Sequence, residues 1–163
     1  MSIVIRSARP DDSAIIFAFV RELADYEKRL DSVDATEAMI AGALFAKEPR
    51  LFCDLAEWDG EAVGFAVWFL NFSSFRGRHG IYLEDLFVCP AYRGRGLGKA
   101  LMARLARTCV DRGMMRFEWA VLNWNEPSIA FYKSIGAAVM DDWKICRLSG
   151  PALQAFAAQD ART

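Results

Sequence analysis

The sequence predicts an α/β protein in which a mixed, twisted β-sheet carries helices on both faces. Three observations support this class. Strand-like runs alternate with amphipathic runs along the 163 residues. A glycine-rich turn follows one apolar strand and leads directly into a helix. Neither repeats nor low-complexity linkers interrupt the alternation, so one domain covering residues 1–163 is expected.

The chain opens with a strand and a helix. Residues 3–6, with three β-branched side chains in succession, are predicted to form a strand. Asp11 or Asp12 then caps a helix, because the apolar residues within 15–23 recur on one helical face.

A second helix and a hairpin follow. Asp34 and Glu37 have the spacing of a capping box, which predicts a helix over 36–45. The Asp-Gly pair at 59–60 separates two apolar runs and therefore predicts a β-hairpin. The remaining expected elements are strands 51–57, 61–72 and 80–88, helix 97–112, strand 116–122, helix 126–135, strand 139–148 and helix 151–159.

The composition of the chain limits the kinds of molecule it is expected to bind and the cellular compartment in which it is expected to work. The formal net charge of −1 gives no reason to expect nucleic-acid or membrane binding, since both normally require a basic face. The N-terminal run does not resemble a signal peptide, and no apolar stretch approaches the length of a membrane span. A reducing cytoplasm is the expected location. Neither a metal site nor a disulfide framework is readable from one histidine, His79, and four widely spaced cysteines: Cys53, Cys89, Cys109 and Cys146.

The most informative segment is YLEDLFVCPAYRGRGLGK, between Tyr82 and Lys99. Glycines let backbone N–H groups approach an anion closely, and the following helix adds its N-terminus. An ordinary glycine-rich turn is the alternative, but the cations favour a phosphate or pyrophosphate site. The spacing matches neither a P-loop nor a dinucleotide-binding fingerprint. The candidate cradle comprises Arg93, Gly94, Arg95, Gly96, Leu97, Gly98 and Lys99.

These residues fit the R-x-x-G-x-G/A pattern of the GNAT acetyltransferases, which holds the pyrophosphate of acetyl-CoA. Three further segments resemble the spermidine/spermine N-acetyltransferase branch of that family. They are ELADYE at 22–27, YLED at 82–85, and WNEPSIAFYK at 124–133 followed by Gly136-Ala137. The resemblance spans most of the chain in the right order. It implies the GNAT fold, acetyl-CoA as co-substrate without a metal, and a homodimer.

Acetyl transfer to an amine needs a proton acceptor, because alkyl ammonium groups have pKa values of about 10. Glu84 is the candidate base, since it lies on the strand that leads to the cradle. A solvated surface carboxylate is the alternative. Alternation along a strand places Glu84 and Leu86 on one face, and Leu83, Asp85 and Phe87 on the other. Asp85 is expected to be structural.

The departing CoA thiolate needs a proton or a hydrogen bond, and the resemblance places Tyr132 at the family's FY position for this role. A packing aromatic is the alternative. The resemblance also implies that backbone N–H groups at 86–88 face the pantetheine arm. Asn125 resembles the CoA-contacting asparagine of the family, although it is equally credible as a helix N-cap. The residues implied at the cofactor in addition to the cradle are Leu86, Phe87, Val88, Asn125, Pro127 and Ser128.

A small cationic amine needs carboxylates and aromatic rings around it, because each ammonium must be neutralised as it loses water. The candidates for this pocket are Tyr26, Glu27, Glu84, Glu118, Trp124 and Asp141, with Asp142 and Trp143 beside them. The loop at 71–75 lacks the acidic and tryptophan pair of the eukaryotic polyamine enzymes, and Glu118 stands about where they place a histidine. A polyamine, a diamine or a thialysine-like amino acid therefore all fit.

Two other functions remain open at this point. A GNAT-shaped acyl-CoA sensor could keep the cradle without turnover, but this chain retains both Glu84 and Tyr132. A protein-lysine acetyltransferase would prefer an open groove, whereas the scattered acids favour a closed pocket for a small cation.

Overall fold

The computed structural model describes residues 2–160. The chain divides into two compact units, the first ending at Ala120 and the second beginning at Val121. The first unit contains a β-sheet with three α-helices, and the second contains two short α-helices. No α-helix within the described range has the length and apolar composition of a membrane span.

Five strands form the sheet in chain order. The first four are antiparallel to their neighbours, and the last pairs parallel to the fourth. The predicted mixed sheet is therefore confirmed. The strands are β1 (Ile3–Ser7), β2 (Phe52–Trp58), β3 (Glu61–Ser73), β4 (Arg78–Val88) and β5 (Phe117–Trp119).

Helices cover both faces of this sheet, as predicted. The helices of the first unit are α1 (Ser13–Tyr26), α2 (Glu37–Leu44) and α3 (Leu97–Asp111). Ile16 and Phe19 of α1 pack with Leu55 of β2 in an apolar cluster. Asp54, the preceding residue of β2, lies 3.7 Å from the guanidinium of Arg104 on α3. Because successive strand residues point to opposite faces, α1 and α3 lie on opposite sides of the sheet.

Two predicted caps differ from those observed. Thr36, rather than Asp34, caps α2, because its hydroxyl accepts a hydrogen bond from the Met39 amide at 3.3 Å. Asp12 occupies the N-cap position of α1 but makes no side-chain cap. Its carboxylate instead forms an ion pair with Arg6 at 2.7 Å. The same carboxylate accepts a hydrogen bond from the Arg9 amide at 2.7 Å, so its backbone contact lies before α1 instead of in the first turn of the helix.

The second unit contains α4 (Glu126–Ser134) and α5 (Gly150–Ala157). The strand predicted over 139–148 is wrong, because those residues have no regular structure and no ladder partner among the described residues. A turn at Met140–Trp143 interrupts the segment. Its apolar side chains are exposed, Trp143 at 77% and Ile145 at 73%. An apolar pattern predicts a strand only where a neighbouring strand completes its hydrogen bonds.

Candidate active site

A one-residue bulge in β4 determines which faces of the sheet the acidic residues of the candidate site occupy. Asp85 pairs with Val67 of β3, whereas Leu83 pairs with Trp68, so Glu84 has no partner on that strand. Directly opposed residues point to the same face of a sheet. Leu83 therefore faces α3 with Trp68, while Asp85 faces α1 with Val67. The expectation that Leu83, Asp85 and Phe87 share one face is wrong for Leu83, because a bulge shifts the alternation by one residue.

The same bulge decides which backbone amides are available at the edge of β4. The Ile81 amide donates toward β5, to Arg116 O at 3.1 Å, but the Cys89 amide donates toward β3, to Val63 O at 2.8 Å. Amide directions alternate along a strand. The N–H groups of Leu86 and Val88 consequently point away from β3.

No strand within residues 2–160 pairs with β4 beyond Leu83 on that side. Leu86 and Val88 therefore offer N–H groups to a ligand lying along the edge. Phe87, which is also predicted to contact the cofactor, does not offer its N–H group to a ligand at this edge. Its amide direction is toward β3, and its ring is 4% exposed in the cluster beneath α1.

The predicted anion cradle lies between β4 and α3. Gly94 and Gly96 have φ angles of +75° and +87°, which side chains rarely tolerate, and a Cβ atom at either would enter open space. Gly96 is the N-cap of α3, so the amides of Leu97, Gly98 and Lys99 begin the helix without intrahelical partners. The cationic residues of the same segment are exposed: Arg93, Arg95 and Lys99. The geometry suits a pyrophosphate.

Three carboxylates form an acidic cluster at β4 and the end of α1. Burial in the apolar cluster, followed by the charges of Glu84 and Glu27, raises the pKa of Asp85 to about 7. Burial likewise raises the pKa of Glu27, against a weaker opposing effect of Arg29. Glu84 itself is exposed at the bulge. An ammonium group placed among these carboxylates would replace mutual repulsion with attraction.

A cavity of about 400 Å³ lies between α1 and the end of β4. Its lining combines charged side chains with aromatic rings: Arg21, Glu22, Asp25, Tyr26, Leu30, Phe87, Pro90 and Arg93. The cavity thus extends from Tyr26, at the end of α1, to the first arginine of the cradle.

Glu118, another predicted substrate residue, already has strong partners. Its carboxylate accepts a hydrogen bond from the Asn71 amide at 2.6 Å and pairs with Arg116 at 2.9 Å. Glu118 lies opposite Tyr82 on β5, where the two strands are still paired. A carboxylate neutralised in this way attracts an ammonium group less than the cluster on β4 does.

The remaining predicted residues lie in the second unit. Asn125 is the N-cap of α4, and its side chain accepts a hydrogen bond from the Ser128 amide at 3.4 Å. The helix-cap interpretation of Asn125 is therefore confirmed. Pro127 occupies the first turn, where a missing N–H costs nothing. Tyr132 is half-buried on α4, whereas Trp124 and Asp141 are exposed.

The structure assigns Asp85 more chemistry than the sequence predicted. Two adjacent acids in an apolar strand could have indicated it, since burial of a carboxylate raises its pKa. The bulge that turns Asp85 toward α1 left no signal in the sequence, because no glycine or proline marks it.

Comparisons with known proteins identify the family of this chain. The model of the acetyltransferase (GNAT) family matches residues 16–137. The thialysine N-epsilon-acetyltransferase of Sus scrofa is 35% identical over 96% of this chain and 98% of its own length. The L-ornithine N5-acetyltransferase of Arabidopsis thaliana is 30% identical over 93% of this chain and 86% of its own. Among solved structures, an integron cassette protein of Vibrio cholerae superimposes with a TM-score of 0.79 and 27% identity, covering 96% and 98% of the two chains. This chain belongs to the GNAT family of acetyltransferases.

Proposed function

We propose that this acetyltransferase moves the acetyl group of acetyl-CoA directly to a primary amine of a small cationic substrate. The substrate class comprises polyamines, diamines and thialysine-like amino acids. The acidic cluster of Glu27, Glu84 and Asp85 carries this proposal, because two of its members, Glu84 and Asp85, lie on the strand that leads to the anion cradle. The named activities of the thialysine and ornithine acetyltransferases support an amine on a short side chain.

The two substrates carry opposite charges, and the first unit offers a complementary group for each. The amides of Gly96 to Lys99, with the cradle arginines, suit the pyrophosphate of acetyl-CoA. The outward N–H groups of Leu86 and Val88 suit the pantetheine arm. The acidic cluster suits the ammonium group of the acceptor, since carboxylates offset the cost of removing it from water.

In the proposed step, the neutral amine nitrogen attacks the thioester carbonyl carbon. Before the attack, Asp85 pairs with the ammonium form, and Glu84 takes a proton from it, either directly or through water, which leaves the neutral amine. A C–N bond then forms, the C–S bond breaks, and the proton that the acetylated nitrogen loses passes to water. Tyr132 donates a proton or a hydrogen bond to the departing thiolate, so the products are the acetylated amine and CoA thiol.

We also propose that both units form one catalytic domain, because the family match at 16–137 crosses the division at Ala120. The free thiols of all four cysteines are compatible with a reducing, cytoplasmic location. Fractionation of the native host with an antibody to the chain tests the location, and recovery outside the cytoplasm would contradict it.

The experiment is a thiol-release assay with acetyl-CoA against a panel of amines. The panel contains spermidine, a short diamine, thialysine, ornithine and a lysine-containing peptide. We expect the highest kcat/KM with a small di- or polyamine or an amino acid bearing a terminal amine. A preference for the peptide would overturn the substrate class, and acetyl-CoA binding without turnover of any amine would favour the sensor.

A further inference from the structure

Both arginines of the cradle rest on aromatic rings from outside the loop. The guanidinium carbon of Arg93 lies 4.9 Å from the ring centre of Tyr26 and 5.7 Å from that of Phe87. Its Nε also donates to the Val88 carbonyl at 2.9 Å. Arg93 is thus fixed from two sides at the end of β4, although its residue is exposed.

Arg95 has a second aromatic support. Its guanidinium carbon lies 5.0 Å from the ring centre of Trp58 and 5.3 Å from that of Tyr92. The rings of Trp58 and Tyr92 are themselves 6.3 Å apart. These distances are within the range of attractive cation–π contacts.

The supporting rings come from distant parts of the chain. Tyr26 is the last residue of α1, and Trp58 is the last residue of β2. The cradle segment that carries both arginines needs such support, because Gly94 and Gly96 give its backbone unusual conformational freedom. A long arginine side chain also loses rotamer entropy when it becomes ordered at a ligand. Rings that order Arg93 and Arg95 beforehand reduce that cost when a phosphate binds.

We propose that Tyr26 and Trp58 are positioning residues for acetyl-CoA, holding Arg93 and Arg95 where they meet the cofactor phosphates. For Tyr26 this role differs from the amine contact that the sequence predicts from its aromatic side chain. The inference rests on the proposed use of acetyl-CoA, and it concerns binding of the cofactor in the absence of any amine.

The test is calorimetric titration of acetyl-CoA into the wild type, Tyr26→Leu and Trp58→Leu, with Tyr26→Phe and Trp58→Phe as matched controls that retain a ring. Each leucine variant should weaken binding about threefold, and the double leucine variant about tenfold, as expected for exposed cation–π contacts. Both phenylalanine variants should stay within about 1.5-fold of the wild type. Since Tyr26 is exposed at 37%, Tyr26→Gln serves the same purpose should Tyr26→Leu not fold.

A double-mutant cycle separates positioning of the arginine from a general effect on α1. In an Arg93→Ala background, Tyr26→Leu should cause no further loss of affinity, because the ring then has no guanidinium to hold. An undiminished loss in that background would overturn the proposal, as would leucine variants that bind like the wild type. A wild-type protein that does not bind acetyl-CoA would instead overturn the proposed function.

Discussion

The surroundings of the Asp85 carboxylate are set by the bulge at the preceding residue, Glu84, which has no partner on β3. The bulge at Glu84 turns Asp85 toward α1, beside Val67, instead of toward α3 with Leu83. There burial and two nearby acids raise its pKa to about 7. A carboxylate that titrates near neutral pH can change its charge within the working range of an acetyltransferase, which an ordinary aspartate does not.

The pH dependence of the rate should distinguish Glu84 from Asp85. If Glu84 accepts the amine proton, Glu84→Gln should lower kcat at neutral pH by roughly 100-fold. If ionised Asp85 neutralises the ammonium group, kcat/KM should rise with pH through about 7, and Asp85→Asn should lose that rise. Glu84→Gln should also shift the rise to lower pH, since it removes a negative neighbour of Asp85.

Initial rates between pH 5.5 and 9 on the wild type and both variants measure these effects. Full activity of Glu84→Gln at neutral pH would exclude Glu84 as the base. An unchanged pH profile in Asp85→Asn would show that another group titrates.

The proposed role of Tyr132 at the departing thiolate leads to a separate prediction about kcat. If its phenol serves the departing thiolate, Tyr132→Phe should lower kcat at least tenfold while the KM for the amine changes little, because the contact strengthens in the transition state. Phe131→Leu, on the adjacent position of α4, is the packing control and should leave kcat within about twofold. An unchanged kcat in Tyr132→Phe would return Tyr132 to a packing role.

Among the structural elements, α3 and the preceding turn allow the sharpest test of the cradle. Gly96→Val introduces a branched side chain at a φ of +87°, directly at the amides that begin α3. Gly60→Val places the same side chain at a φ of +89° in the β2–β3 turn, where a Cβ also meets open space. Both variants should lose about 1–2 kcal/mol of stability from the same backbone strain.

Only Gly96→Val should lose acetyl-CoA affinity, by tenfold or more, because only its side chain enters the anion cradle. Calorimetry at a temperature where both variants are folded measures the difference. Affinity of Gly96→Val within twofold of Gly60→Val would contradict the phosphate site.

The elements that the sequence predicts well are those whose signals are local. Helix α3 begins at Leu97 as predicted, because the glycine turn and the apolar period coincide there. The predicted N-cap of α2, Asp34, is two residues away from the observed cap, Thr36, and the predicted helix is nearly unaffected. The predicted strand at 139–148 failed because strand formation needs a partner, which no local pattern supplies. The bulge at Glu84 was equally invisible, since it depends on the register between two strands.

For the candidate site, the sequence located the groups but not their surroundings. The cradle at 93–99 followed from glycine spacing and charge, and its positive φ angles agree with that interpretation. The raised pKa of Asp85 and the ion pair of Glu118 depend on contacts between distant residues. Burial and charge neutralisation are therefore properties of the fold that the residue types alone do not determine.

At the scale of the whole molecule, a small net charge conceals separated charges. The chain carries 20 basic and 21 acidic residues, yet three cations lie within the cradle segment while three carboxylates cluster at β4 and the end of α1. An anionic cofactor and a cationic amine can thus each meet a complementary surface. The remaining surface includes apolar side chains that neither substrate explains.

These side chains predict the assembly. In the turn of the β3–β4 hairpin, Phe75 is fully exposed, and toward the end of β3, Phe72 is 53% exposed and Leu70 is 38% exposed. Exposed aromatic groups that lie close together are typical of a surface that is covered by a partner. The commonest oligomer is a twofold-symmetric dimer, in which the same surface of both subunits forms the contact. We therefore expect a homodimer in which this hairpin is buried.

Sedimentation velocity at micromolar concentration should therefore give twice the monomer mass for the wild type. Phe75→Asp should shift the equilibrium toward monomer, because a carboxylate buried in an apolar interface loses its hydration without gaining a partner. Val110→Asp is the matched control, since Val110 on α3 is 71% exposed and lies outside the hairpin. A monomeric wild type would remove the dimer, whereas equal dissociation of both variants would place the interface elsewhere.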